Sequence, residues 1–262
     1  MFRTMSVLAL AGATLFAQEG GEGNNRANCR DLPSHTLLKI ALASAVRQGP
    51  NGGLGFHMWG TVVNRDGEVC AVVYTGPDRN AQWPGSRVIS AQKAHTANAF
   101  SLPGFALSTA NLYFPTQPGS TLFELTQSNP VDTGAAYAGS PSNYGQPNDP
   151  MTNKKVGGIN VFGGGLGLYN QKGELVGGLG VSGDTSCADH IIAWKVRDRL
   201  GLDAVPAGPA GGGKDNIIFD LSRQPNGEVI SPSGFGHASC GTGAAQIAAT
   251  LPVDFPFTTP TP

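Results

Sequence analysis

The stretch Val156–Leu200, VGGINVFGGGLGLYNQKGELVGGLGVSGDTSCADHIIAWKVRDRL, carries the clearest structural pattern in the chain. Two runs rich in β-forming residues, Ile159–Leu168 and Leu175–Val181, flank the turn sequence NQKG. After a turn at Ser182-Gly183, the run Ser186–Leu200 has the composition and length of a helix. The stretch therefore predicts a β-hairpin followed directly by a helix.

The predicted hairpin is unusually rich in glycine. Nine glycines lie between Gly157 and Gly183. Glycine inside a strand lets another group approach the backbone closely, at a cost in chain entropy. That group is either a flat ligand or a partner's backbone lying on the strands, or a helix packed tightly against the sheet; glycines at bulges are a further reason. Packing is the favoured explanation.

Three further segments have regular patterns. Pro33–Gln48 has apolar residues at helical spacing, with Ser34 as a suitable cap, and Ser86–Phe100 is a second predicted helix. Trp59–Val63 and Glu68–Tyr74 predict a hairpin around an Asp-Gly turn. The order helix, hairpin, helix, loop, hairpin, helix predicts an α+β domain, with antiparallel strands covered by helices.

Two segments lack such patterns. Residues 103–155 are rich in proline and glycine and have almost no periodicity, so they predict a long loop that is either functional or poorly ordered. Residues 206–262 form a Gly/Pro-rich tail, which we expect to pack on the core. The tail has one strand-like run, Asn216–Leu221. The domain itself is expected to span residues 29–205.

Composition and the N-terminus predict an exported protein. Charged residues make up 13 % of the chain and the formal net charge is −1, which argues against nucleic-acid binding and against attraction to an anionic membrane. Residues 1–17 combine a basic start with a short apolar run, as in a signal peptide, and residues 18–28 read as a linker. No other run reaches about 18 apolar residues. We expect a secreted or periplasmic protein without membrane insertion.

The chain has four cysteines, Cys29, Cys70, Cys187 and Cys240. An even number in an exported protein favours two disulfides, and three pairings are compatible with the sequence. The favoured pairing joins Cys187 to Cys240, which would hold the tail on the core, and Cys29 to Cys70. The spacings match no structural zinc motif.

Several short motifs occur together in this chain. They are V-x-R-D-G at residues 63–67, P-G-S at 84–86, A-x-K-A-x-T-A at 91–97, and G-G-L-G-V-S-G at 177–183 followed by Asp189. On these motifs the chain resembles the GlcG/HbpS-like proteins over about residues 35–202. The resemblance implies a profilin-like, three-layer α/β/α fold with a central antiparallel sheet of about five strands. It also implies a homo-oligomer, and haem as a cofactor, since some members bind haem.

Six residues in the matching segments are candidate contacts for haem or another small flat ligand: Lys93, His95, Ser182, Gly183, Asp189 and His190. Histidine is the usual axial ligand of haem iron, and a helix N-terminus offers N–H groups to a propionate. Asp189 is either the partner in a capping box or, if Asp184 or Thr185 caps the helix, free for a ligand.

Other chemistries lack their patterns. The G-x-G-x-x-G at residues 178–183 follows a hairpin strand rather than opening a βαβ unit, so it does not indicate nucleotide binding. No G-x-S-x-G motif or paired-histidine metal motif occurs. Three functions remain: a haem-binding protein without clear catalytic machinery, an enzyme that uses Lys93 and Asp189 on a small organic acid or redox metabolite, and an oligomeric structural or interaction protein.

Overall fold

The computed structural model describes residues 28–261. The predicted signal peptide, residues 1–17, and nearly all of the predicted linker, residues 18–28, lie outside the described residues. The helices and strands are α1 (His35–Arg47), β1 (Trp59–Asn64), β2 (Val69–Tyr74), α2 (Ser86–Phe100), α3 (Thr133–Ala136), β3 (Gly165–Tyr169), β4 (Leu175–Ser182), α4 (Ser186–Arg199), β5 (Ser222–Arg223), β6 (Val229–Ile230) and α5 (Ala244–Asp254). None of these helices is long and apolar enough to cross a membrane.

Four strands form the central sheet. The order is β2-β1-β4-β3, and every neighbouring pair is antiparallel. The expected α+β class with a central antiparallel sheet is confirmed, and within residues 28–261 the sheet has four strands where about five were expected. Strands β5 and β6 form a separate two-stranded hairpin.

Two of the strand predictions are wrong, one in part and one completely. The run Ile159–Leu168 is a strand only from Gly165 onwards, because Gly164 has a φ angle of +112°, which is incompatible with a continuous strand. Asn216–Leu221 is not a strand. The N–H group of Ile217 donates to two side chains instead of to a neighbouring strand.

Helices cover both faces of the sheet, as the three-layer prediction required. On one face, the Thr61 hydroxyl of β1 lies 2.7 Å from the Ser90 hydroxyl of α2. On the other face, Val62 of β1 and Leu179 of β4 belong to the core cluster that includes residues of α1 and α4. The alternation along β1 follows from the period of two in a strand.

The long segment 103–155 contributes to the core. Arg87 of α2 anchors it, because the buried guanidinium binds both carboxylate oxygens of Asp149 and donates to the carbonyl of Ala136 at 2.8 Å. Ala136 and Met151 are fully buried and pack with residues of β1, β2 and α2. The segment is therefore a packed cover over one end of α2 and the β2 edge.

Both disulfides have the favoured pairing. Cys29–Cys70 joins the start of the described chain to β2, and Cys187–Cys240 joins α4 to the tail. Buried residues of α5 also belong to the core cluster that contains α4. The tail thus lies against the layer formed by α1 and α4.

Candidate functional site

The glycines of β4 lie against the backbone of α2. A Cβ atom at Gly180 would be 2.5 Å from the backbone nitrogen of Ala94 and closer still to the carbonyl oxygen of Ser90. A Cβ at Gly178 would be 3.0 Å from the backbone nitrogen of Asn98. No side chain fits at these distances. These glycines allow α2 to pack closely on the sheet, in agreement with the favoured explanation.

A buried ion pair lies where β4 ends and α4 begins. Thr185 caps α4 by accepting a hydrogen bond from the N–H of Ala188 at 3.3 Å. Asp189 is therefore not needed as the cap, and its Oδ2 accepts a hydrogen bond from Lys93 Nζ at 2.7 Å. Lys93 also donates to the carbonyl of Val181 at 3.2 Å. The pair links α2 and α4, which lie on opposite faces of the sheet.

The ion pair is sealed from solvent, since both side chains are only 2–3 % exposed. Burial raises the pKa of Asp189 to about 6, against the opposing charge and hydrogen bond of Lys93. The other carboxylate oxygen of Asp189 accepts a hydrogen bond from the N–H of Asp184 at 3.0 Å. Gly164 covers the pair, because a Cβ there would lie 3.2 Å from Lys93 Nζ. In this conformation no substrate can reach either group.

Ser182 and Gly183 lie at the same junction. Ser182 is buried at the end of β4. Gly183 has a φ angle of +153°, and a Cβ there would lie 2.5 Å from the carbonyl oxygen of His57. The position therefore requires glycine for both backbone conformation and space. Four of the six predicted contacts are thus brought together at one interior junction: Ser182, Gly183, Lys93 and Asp189.

His190 lies on α4 but does not reach a surface. Its ring is fully buried, with Nε2 3.1 Å from Asn216 Oδ1 and 3.1 Å from the N–H of Ile217. Burial lowers the pKa of His190 to about 3, so the ring is neutral at pH 7. Its Nδ1 is buried without a hydrogen-bond partner. His190 joins α4 to the tail rather than facing a ligand.

His95 lies elsewhere, beside the β1–β2 turn. The side chain is partly exposed, and a Cβ at Gly67 would lie 3.1 Å from its Nδ1. That nitrogen is buried and has no hydrogen-bond partner. Partial burial lowers the pKa of His95, which favours the neutral ring. The structure therefore does not bring His95 and His190 to one place.

The sequence does not predict a contact between Ser186 and His237 that the structure shows. Ser186, the first residue of α4, has its Oγ 2.7 Å from Nε2 of His237 in the tail. The sequence separation is 51 residues, and no motif joins the two. The available signal was indirect, because Ser186 precedes Cys187 and His237 lies three residues before Cys240, the two halves of one disulfide.

A cavity of about 660 Å³ is separated from this serine–histidine pair by Tyr113, whose ring packs on His237; neither Ser186 nor His237 lines it. It is enclosed by residues 113–120 and by the β5–β6 hairpin, and Ala238 is part of its wall. Its volume is in the range of small-molecule sites, about 300–1,000 Å³. Within residues 28–261 no group of three or more His, Cys, Asp or Glu side chains is arranged to hold a metal ion.

Comparison with known proteins assigns the family. A family model described as haem degrading protein HbpS-like matches residues 35–197. The chain belongs to this HbpS-like family. The match covers α1 to nearly the end of α4, and so includes the sheet, the Lys93–Asp189 pair and His95. The resemblance stated from the sequence motifs is confirmed.

Solved structures similar to this HbpS-like chain have low identity to it. Klebsiella pneumoniae protein ORFY is 21 % identical, with 64 % of this chain and 90 % of that chain covered and a TM-score of 0.43. A PduOC:heme complex is 22 % identical, with 67 % and 95 % covered and a TM-score of 0.45. HbpS is 18 % identical, with 64 % and 86 % covered and a TM-score of 0.40. The sequence has no significant match among curated proteins.

Proposed function

We propose that this HbpS-like protein binds haem or a related flat tetrapyrrole, with His95 as the axial ligand. Support comes from the family assignment and from one observation on the histidines. Of the five histidines, all within residues 28–261, His95 alone combines partial exposure with a ring that makes no hydrogen bond. Coordination by His95 would therefore break no internal hydrogen bond. A neutral imidazole is also the form that binds haem iron.

The other five predicted contacts support this proposal indirectly. Lys93 is two residues from His95 on α2, and its bridge to Asp189 fixes α2 against α4. Ser182 and Gly183 form the turn that leads into α4, and His190 holds the tail to α4. We assign these residues the role of positioning the helix that presents His95, because none of them reaches the surface in this conformation.

Haemin titration of the purified protein tests the proposal. Addition of haemin is expected to give a shifted Soret band that saturates, and His95→Ala is expected to lose this shift because the iron loses its axial nitrogen. The matched control is His57→Ala, since His57 is exposed and lies outside α2. Absence of a shift in the wild type contradicts haem binding. A shift unchanged in His95→Ala contradicts this ligand while leaving haem binding intact.

No observation favours the alternative of an enzyme that uses Lys93 and Asp189. The two side chains do converge, but as an enclosed ion pair rather than in an open pocket.

The segment 103–155 cannot be deleted to test whether it has a functional role, since its residues Ala136 and Met151 are part of the core.

We propose export and self-association as the setting of this function. The two disulfides are typical of an oxidising compartment. The outer face of α1 carries Leu37 and Ile40, which are 56 % and 61 % exposed and lie on the same side of the helix. We propose this exposed apolar pair as the centre of the contact with a second copy.

Light scattering tests the self-association. Ile40→Glu is expected to convert an oligomer to a smaller species, because a charge would be buried at the contact. Thr133→Glu, at an exposed residue of α3, is the matched control and should leave the mass unchanged, because it lies on a different element from the proposed contact. A wild-type protein that is monomeric at all concentrations contradicts the proposal.

A further inference from the structure

We infer that Ser186 and His237 form a nucleophile–base pair that hydrolyses carboxylic esters, an activity separate from haem binding, with the 660 Å³ cavity beside the pair taking part of the substrate. His237 lies in the tail, 40 residues beyond the end of the family match at residue 197. The pair is thus a feature of this chain rather than of the matched family segment.

The hydrogen bonds fix the direction of proton transfer. His237 Nδ1 lies 2.7 Å from the carbonyl oxygen of Ala238, an acceptor, so Nδ1 carries the proton. Nε2 is then the unprotonated nitrogen, and the hydroxyl of Ser186 donates to it at 2.7 Å. This is the arrangement of an activated serine: nucleophile, base, and a third group that orients the base. Here that third group is a backbone carbonyl.

The environment keeps the His237 ring neutral. The ring is 3 % exposed and packs against the ring of Tyr113, with centroids 4.8 Å apart. Burial is the main cause that lowers the pKa of His237 to about 4, and the positive charge of Lys93 contributes. At pH 7 the ring is therefore neutral with the Nε2 lone pair free, and acceptance of the Ser186 proton costs free energy that binding of the transition state has to offset.

The Cys187–Cys240 disulfide and the N–H of Gly163 hold Ser186 in place. Cys187–Cys240 ties the start of α4 to the segment that carries His237. The N–H of Gly163 donates to Ser186 Oγ at 2.8 Å, which places an amide donor beside the reacting oxygen. The oxyanion of the tetrahedral intermediate forms on the carbonyl oxygen of the ester, and the partial positive charge at the start of the 14-residue α4 favours it. Ser186 is partly exposed whereas His237 is buried, so the route we propose for the ester is from the Ser186 side.

The cavity indicates the class of ester. Tyr113 and Ala238, the neighbours of the His237 ring, both form part of the cavity wall. The remaining wall is mixed in polarity: Phe114, Leu221, Val229 and Ile230 are apolar, whereas Gln117, Ser120, Arg223 and Glu228 are polar or charged. A small ester whose acyl or aryl group packs on the apolar side of this wall fits the cavity.

The reaction balances without any further cofactor. Ser186 Oγ attacks the ester carbonyl carbon while His237 Nε2 takes the hydroxyl proton, which gives a tetrahedral oxyanion. The bond to the alcohol oxygen breaks, and the alcohol leaves with the proton from His237. Water then attacks the acyl-Ser186 carbonyl by the same route and releases the carboxylic acid. The sum is ester plus water giving acid plus alcohol.

Labelling of the full-length folded protein with a fluorophosphonate tests the nucleophile. Displacement of fluoride by Ser186 Oγ is expected to give one covalent adduct, which peptide mass spectrometry locates at Ser186. Ser186→Ala and His237→Gln should both lose it. Ser239→Ala removes an exposed serine two residues from His237 and is the matched control, expected to label normally.

Hydrolysis of p-nitrophenyl acetate provides the second measurement. Both variants are expected to lower the rate by about 100-fold or more, since the pair acts as a unit. Circular dichroism and the unchanged haemin shift of Ser186→Ala confirm that the fold and haem binding are retained. A wild type that neither labels at Ser186 nor exceeds the buffer rate overturns the inference, as does equal labelling of His237→Gln.

Discussion

Gly180→Ala is expected to lower the free energy of unfolding by about 3 kcal/mol, the upper part of the range for overpacked sites. The new Cβ would lie 2.5 Å from the backbone nitrogen of Ala94 and closer to the carbonyl of Ser90. Both atoms belong to the backbone of α2, so no side chain can rotate away. The whole helix must shift from the sheet, and its contacts with β1, β3 and β4 weaken together.

Urea unfolding followed by circular dichroism measures this loss. Gly104→Ala is the matched control, because Gly104 is exposed and a Cβ there would meet nothing within 4 Å. It is expected to change stability by no more than about 0.5 kcal/mol. If both variants lose the same stability, the cost comes from chain entropy or propensity and not from helix packing on β4.

The parts of the fold that the sequence predicts are those set by local patterns. The helix Ser86–Phe100 has the predicted bounds and Ser34 is the predicted cap, because apolar spacing and capping are local. The hairpin around Asp66-Gly67 was equally local. The prediction of a strand over Ile159–Gly164 is wrong because this segment bends at Gly164 over the Lys93–Asp189 pair. That contact is between residues distant in sequence, so no local pattern indicates it.

The site was harder to predict because its residues are distant in sequence. Lys93 and Asp189 are 96 residues apart, and only the folded sheet brings them together. In the sequence, nothing distinguishes His190 from a histidine on an exposed helix face. Its burial and its contact with Asn216 of the tail depend on tertiary packing. His237 lies outside the motif-bearing segments that made His95 and His190 candidates, and no motif joins it to Ser186.

Lys93→Met is expected to lower the free energy of unfolding by about 3–5 kcal/mol at pH 8, the range for removing one partner of a buried ion pair. Methionine keeps most of the volume of the side chain but leaves the Asp189 carboxylate without its cation. The N–H of Asp184 then remains as a donor to that carboxylate. Because Lys93 opposes the upward shift that burial imposes, its loss raises the pKa of Asp189 further above about 6.

The sign of the pH dependence follows from that shift. An unfolded chain ionises Asp189 near pH 3.9, whereas the folded variant holds the proton until well above pH 6, so the folded state binds more protons in between. Stability of the variant therefore falls as pH rises through this interval, and its deficit relative to the wild type is expected to be smaller at pH 5 than at pH 8. Urea unfolding at both values measures this difference. Lys172→Met, at an exposed lysine, is the control and should show little change at either pH. Lys93→Met with Asp189→Asn should recover much of the loss at pH 8, because no charge is then buried. A deficit of equal size at pH 5 and pH 8 would show that Lys93 acts through packing and not through its charge.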